Sequence, residues 1–222
     1  GVYPIKVNQH HEVIEDIVEF GRPYHVGLEV GTKAELIVAA AREPDPDAYM
    51  VCNGYKDAAF IDLALYAQQF GHNVYLVIEL PAELELILAR CEKHQVRPNL
   101  GIRAKLSTRA GGHWDASGGD RSKFGIDASE IITILDELKS KQMTDCLRML
   151  HYHLGSQVPN IRRIRTAVQE AACVYAGLVS EGAPMGTLNV GGGLAVDYNG
   201  SHSNSARSRH YPGADSPPDQ PP

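Results

Sequence analysis

The chain lacks most of the signatures that would settle its class at once. Its four cysteines, Cys52, Cys91, Cys146 and Cys173, lie far apart with no Cys-x-x-Cys pair. That leaves no disulfide framework or zinc ribbon to read, and fits reduced thiols in a cytosolic protein. No apolar stretch approaches membrane-spanning length, and no basic, signal-like segment opens the chain. A net charge of -6 supplies no broad positive field for a phosphate backbone, so nucleic acid is not an expected partner. Internal repeats and long single-sign charge runs are absent too. The sequence begins inside an apolar run without a methionine, as a piece of a longer protein would.

What remains is an ordinary globular composition: 222 residues, 43% hydrophobic and 22% charged, enough for one large domain. Short β-like runs alternate with longer amphipathic ones. Strands are predicted at 2–7, 24–29, 49–53, 73–79, 99–106, 147–153 and 187–190, and helices at 10–20, 33–42, 57–70, 82–94, 128–141 and 161–181. Such a succession of βα units implies a parallel sheet with right-handed connections.

An open doubly wound sheet and a (β/α)8 barrel both fit that pattern. The C-terminal ends of the predicted strands carry, in order, Lys6, Glu29, Asn53, Glu79, Arg103, His153 and the triple glycine Gly191, Gly192 and Gly193. A barrel gathers every strand end on one rim, where these groups converge; an open sheet scatters them. The expectation is therefore an α/β chain with a TIM-type barrel, truncated to about seven strands, over residues 1–198. The Gly-rich segment 107–122 is expected to be a mobile rim loop. The tail 199–222, with five prolines in its last eleven residues, is expected to be disordered.

Three constellations carry chemistry. Lys6 ends the first apolar run; an amine desolvated at a strand end can hold an aldehyde cofactor as a Schiff base, although a lone lysine can equally cap a strand. Gly191, Gly192 and Gly193 follow the seventh strand, where backbone N–H groups unobstructed by Cβ atoms form an anion nest and barrels commonly bind phosphate. His151 and His153 share one face of the sixth strand. They admit two functional readings: an imidazole stacked on an aromatic cofactor beside the Gly-Ser156 turn, or a metal pair. His151 is also readable as a hydrogen-bonded core histidine. Arg103 inside a barrel requires a partner, and Glu29 can tune a pyridine nitrogen, position a catalytic group or pair with a lysine.

These segments match a known pattern. Gly-Val-Tyr-Pro-Ile-Lys6-Val-Asn-Gln, Gly-Leu-Glu29-Val-Gly-Thr-Lys, Val-Cys-Asn53-Gly-Tyr-Lys-Asp, Ser-Lys123-Phe-Gly, His-Tyr-His153-Leu-Gly-Ser156-Gln and Val-Gly191-Gly-Gly-Leu-Ala-Val-Asp197-Tyr198 resemble the biosynthetic arginine decarboxylases. Those are pyridoxal-phosphate enzymes of the alanine-racemase-like barrel fold, and the resemblance covers about residues 1–205. It implies decarboxylation of L-arginine to agmatine and carbon dioxide in polyamine (putrescine and spermidine) biosynthesis. It further implies Lys6 and His153 as catalytic residues, with Lys6, Glu29, Arg103, His153, Ser156, Gly191, Gly192 and Gly193 around pyridoxal 5′-phosphate. Leu188, Asn189, Val190, Gly191, Gly192, Gly193, Leu194, Ala195, Val196, Asp197 and Tyr198 form its substrate-binding stretch. Magnesium, a homo-oligomer (a dimer or a tetramer of dimers), and a bacterial cytoplasmic or plant plastid location follow from the resemblance alone.

The chain departs from that family in three places. Asn189 stands where the family has an aspartate, and the sequence beyond about Ser205 does not continue the pattern. The eighth strand and the C-terminal β-domain are missing, so the chain by itself is expected to be unstable and inactive. Two rival readings are a metal-dependent barrel hydrolase using His151 and His153, and a non-catalytic pyridoxal-phosphate carrier.

Overall fold

The computed structural model describes residues 1–108 and 125–196. Seven strands, β1 (Val2–Pro4), β2 (Gly27–Val30), β3 (Tyr49–Cys52), β4 (Asn73–Ile78), β5 (Asn99–Arg103), β6 (Leu147–His151) and β7 (Thr187–Asn189), alternate with six helices. These are α1 (His11–Gly21), α2 (Lys33–Arg42), α3 (Ala58–Gln69), α4 (Ala82–His94), α5 (Ala128–Ser140) and α6 (Ile161–Ser180). Every ladder is parallel, and the order in the sheet is the order in the chain, β1 to β7. A doubly wound sheet reverses its order at a switch point. This one never does, so its helices stay on one side and the sheet curls into a seven-stranded partial barrel.

Several helices begin where the local chemistry says they should. Thr32, Asp57 and Asn160 each accept a backbone N–H of the first turn through their side chains, and Asp127 with Glu130 forms a reciprocal capping box. The observed helices match the predicted ranges within a residue or so at each end.

Side-chain alternation separates two apolar layers. Met50, Cys52, Leu76, Ile78, Leu100, Ile102 and Leu150 face outward into a large core shared with the helices. The intervening Val51, Tyr75, Val77 and Met149 form a second cluster inside the curl, with Val2 and Tyr49 packed against it. The Tyr49 hydroxyl meets the Thr187 hydroxyl at 3.1 Å across the interior, although β3 and β7 lie four places apart in the sheet. That contact is what curling achieves.

All the strands except β2 end earlier than predicted. β1 stops at Pro4 and gives way to a 3-10 turn, Ile5–Val7, so Lys6 sits on a turn rather than on a strand. β5 stops at Arg103, and β6 stops at His151, leaving His153 beyond the ladder. The N-terminal part of the predicted second strand is a 3-10 turn, Arg22–Tyr24. Lys123, Asp197, Tyr198, most of the predicted rim loop and the whole of 199–222 lie outside the described residues. Among the described residues no helix is long and apolar enough to cross a membrane.

Candidate functional site

Parallel strands bring all their C-terminal ends to one edge. Continued past the inner cluster, the inward alternation places Glu29, Asn53, Glu79, Arg103, His151 and Asn189 on the same side as Val51, Val77 and Met149. Apolar side chains thus fill the lower interior, and polar ones line its upper rim.

Lys6 reaches that rim from its turn. Ile5, 2% exposed, anchors the turn in the core, and Lys6 projects outward with 62% of its side chain exposed. The expected desolvated amine is therefore not what the structure shows. Lys6 is instead held by charge: its Nζ lies 3.3 Å from Oε1 of the buried Glu29. The same oxygen accepts from Asn53 Nδ2 at 3.1 Å. Asn53 Oδ1 is buried and has no hydrogen-bond partner.

The next carboxylate along the rim is Glu79, fully buried at 0% exposed. Its Oε1 accepts from the Gly54 backbone N–H at 2.7 Å, and its Oε2 accepts from Arg103 Nη1 at 2.8 Å. Arg103 thus has the partner that a charge inside a barrel needs. Beneath it a second buried pair braces the rim. Lys56 Nζ donates to the Gly54 carbonyl at 2.6 Å, to the Val77 carbonyl, and to Glu83 Oε2 at 3.4 Å. Glu83 in return accepts the backbone N–H groups of Lys56 and Glu79 at 2.9 and 2.8 Å. The ends of β3, β4 and β5 are so tied into one polar lattice.

His151 and His153 part company. His151 is buried, and its Nδ1 donates to the Asn189 carbonyl at 3.3 Å. Burial, with the Arg103 cation nearby, pushes its pKa down to about 4. His153 is exposed, and its pKa is also lowered, first by desolvation and then by the Arg103 and Lys6 cations. The core-histidine reading of His151 holds, and His151 and His153 join no metal-binding group among the described residues. The one such group is His25, Asp45 and Asp47, at the opposite, N-terminal ends of β2 and β3.

The loops after β6 and β7 are knitted together. Tyr152 N–H donates to the Asn189 carbonyl at 3.0 Å, and Val158 N–H to the Gly193 carbonyl at 2.8 Å. Asn189 Oδ1 accepts the Gly191 N–H at 2.9 Å, so the amide keeps the acceptor that an aspartate would provide there. Gly191 and Gly193 have φ of 68° and 93°. A Cβ on Gly191 would lie 2.5 Å from the Tyr152 carbonyl oxygen, whereas one on Gly192 would meet nothing within 4 Å. The result is a glycine cup facing open space beside His153 and the exposed Ser156.

Two clefts, of about 570 and 350 Å³, are lined by none of these side chains. The donors of the strand-end rim nonetheless fit a phosphorylated pyridine aldehyde. They comprise an accessible amine, an adjacent carboxylate, a flat imidazole, a nest of backbone N–H groups and an unused buried acceptor.

Sequence reasoning placed Glu79 at a strand end without giving it a role, and gave none to Asn53. It missed Lys56 and Glu83. The signal for Glu79 was an acid closing a wholly apolar strand; for Lys56 and Glu83 nothing in the sequence announced burial.

Residues 1–211 match the family model described as pyridoxal-dependent decarboxylase, pyridoxal binding domain. The chain is 49% identical over 211 residues to the biosynthetic arginine decarboxylase of Gloeobacter violaceus, covering 95% of this chain and 33% of that protein. Among solved structures, the biosynthetic arginine decarboxylase of Campylobacter jejuni superposes with a TM-score of 0.79 at 36% identity, over 89% of this chain and 32% of that one. Diaminopimelate decarboxylase from Helicobacter pylori shares the fold, with a TM-score of 0.77 at 22% identity over 90% of this chain and 49% of that one. The chain spans about a third of the length of its curated relatives.

Proposed function

The chain belongs to the pyridoxal-dependent decarboxylases and carries their pyridoxal-binding domain; from that premise we propose that the whole protein decarboxylates L-arginine to agmatine and carbon dioxide. Two observations support the reading: Lys6 Nζ lies 3.3 Å from the buried Glu29 at the strand-end rim, and His153 packs against Gly191 in the loop after β7. Relatives 49 and 50% identical, named biosynthetic arginine decarboxylases, support arginine as the substrate. Supply of agmatine to polyamine synthesis is the pathway that fits this reaction.

Bound here, pyridoxal 5′-phosphate supplies an electron sink for the carbanion left when the carboxylate departs. Lys6 would bind its aldehyde covalently, with Glu29 taking up and returning the proton on the lysine nitrogen. The His153 imidazole, kept neutral at pH 7 by its lowered pKa, would stack on the ring without adding a positive charge. Ser156 and the N–H groups of Gly192 and Gly193 would hold the phosphate, with Gly191, whose N–H is held by Asn189 Oδ1, shaping the turn, and Arg103, fixed by Glu79, would set the positive potential of the rim. The segment 188–198 would border the substrate. The described residues near the rim offer no oxygen cluster to which magnesium can be assigned.

Among the described residues β1 and β7 each pair on one side only. We accordingly propose that the 222-residue chain by itself releases little agmatine and that the complete enzyme works as a homo-oligomer.

Borohydride reduction of the chain incubated with pyridoxal 5′-phosphate should fix one pyridoxal group on Lys6, located by peptide mass spectrometry, and Lys6→Ala should abolish it. Label on another lysine, or equal labelling of Lys6→Ala, overturns the assignment.

A further inference from the structure

Two helices of this chain carry an acid three residues after the cap, and the two acids are used differently. On α5, Glu130 Oε2 accepts the N–H of its own cap residue, Asp127, at 3.1 Å, an ordinary capping box. On α2, Glu35 is buried, 7% exposed, and its two oxygens part company. Oε2 stays with the helix end and accepts the Gly31 N–H at 2.7 Å, while Oε1 accepts Gln9 Nε2 at 3.3 Å. Gln9 lies three residues after Lys6, and Gly31 two residues after Glu29. One carboxylate thus touches both segments whose side chains meet at the rim.

The rim contact does not hold itself. Lys6 has 62% of its side chain exposed, and an ion pair made by a flexible, exposed lysine contributes little against the freedom of that chain. β1 has ended at Pro4, opposite Glu29. Among the described residues, two side-chain hydrogen bonds join residues 5–10 to residues 27–35: Lys6 to Glu29, and Gln9 to Glu35. The second is anchored on a buried helix end and can fix the first. The backbone between them is braced, since the Tyr3 hydroxyl donates to the Asn8 carbonyl at 3.2 Å and Asn8 Oδ1 accepts the His10 N–H at 3.0 Å. Restraint at Gln9 is so passed to Lys6.

Resting on the proposed role of Lys6, we infer that Glu35 is a positioning residue for the reaction there: through Gln9 it holds the Lys6 turn against β2, so that the amine stands beside Glu29 when an aldehyde arrives. Glu35 acts through that hydrogen bond and takes no part in bond making.

The test measures how fast pyridoxal 5′-phosphate is fixed on Lys6 of the 222-residue chain by borohydride after short incubations, with label on the exposed Lys93 as internal reference. Absence of label at Lys6 in the wild type overturns the reading of Lys6, and this inference with it, before any variant is compared. With that label present, Gln9→Ala should lower the rate at Lys6 about tenfold, the size of one hydrogen bond to a charged group. Gln9 is exposed and the α2 cap stays intact, so the melting temperature should not change. Gln9→Glu, which sets two carboxylates against each other, should lower the rate at least as far. Adding Glu35→Gln exchanges donor and acceptor, keeps an oxygen for the Gly31 N–H and should recover most of the rate. An unchanged rate in Gln9→Ala overturns the inference, as does a double variant no faster than Gln9→Glu alone. A melting temperature that falls in step with the rate overturns it too, because the tie would then serve the fold and not the amine.

Discussion

A Cβ placed on Gly193 would lie 1.7 Å from the carbonyl oxygen of Gly155. The loop after β7 therefore touches the loop after β6 backbone to backbone, with Val158 N–H bonded to the Gly193 carbonyl and a parallel bridge from Val158 to Leu194. The two loops form one surface, and the glycine turn is part of it.

Gly193→Ala should break that surface. The clash is with backbone, which cannot rotate aside, and φ of 93° adds conformational strain of about 1–2 kcal/mol for a residue with a Cβ. We expect a loss of several degrees in melting temperature and at least a tenfold weaker grip on pyridoxal 5′-phosphate, read by fluorescence titration. Gly192→Ala is the control, since its Cβ meets nothing within 4 Å; it should fold normally and weaken the cofactor alone. Equal melting losses in the two variants would show that the loop contact is not what holds the cup.

Lys56→Met should be among the most damaging single changes in the chain. Lys56 Nζ is buried with Glu83 and two carbonyl groups, and its removal leaves the Glu83 carboxylate without its cation. Breaking a buried pair from one side costs about 3–5 kcal/mol. Urea denaturation should show a loss of that size with an unchanged slope. Because Glu83 also holds the Glu79 N–H, the loss should extend to the Glu79–Arg103 pair. A loss under about 1 kcal/mol, the size of an exposed ion pair, would mean that the rim does not depend on this brace.

The extent to which the sequence foretold this arrangement differs from element to element. The helix at 82–94 was readable to the residue because apolar spacing, Pro81 before it and Lys93 and His94 at its end agree. Strand ends were overrun at Lys6, Leu106 and His153, because apolar alternation continues after the last ladder bond and only the pairing partner ends a strand. The barrel itself followed from polar residues at successive strand ends, since only curling brings such groups together. The Lys56–Glu83 brace and the orphan oxygen of Asn53 were invisible. Burial of a polar group is decided by what packs over it, and no local spacing records that.

His151 provides the pH test. Its folded pKa is about 4, against 6.5 for a free histidine, so between those values the unfolded chain binds the proton and the folded chain does not. Stability from this residue is complete above about pH 6.5, declines as the pH falls, and is lost below about pH 4. The full difference is about 3 kcal/mol by linkage. Glu43, whose pKa burial raises, runs the other way: its contribution is present at low pH and lost as the pH rises through its folded value. The residue-specific quantity is therefore the difference between wild type and His151→Gln, whose amide can still donate to the Asn189 carbonyl. Denaturation from about pH 7.5 to about pH 4 should show wild type losing about 3 kcal/mol more than the variant. Parallel curves would mean that His151 takes up its proton as readily in the folded chain as in the unfolded one. The neutral ring bonded to Asn189 would then not be what joins β6 to the glycine turn.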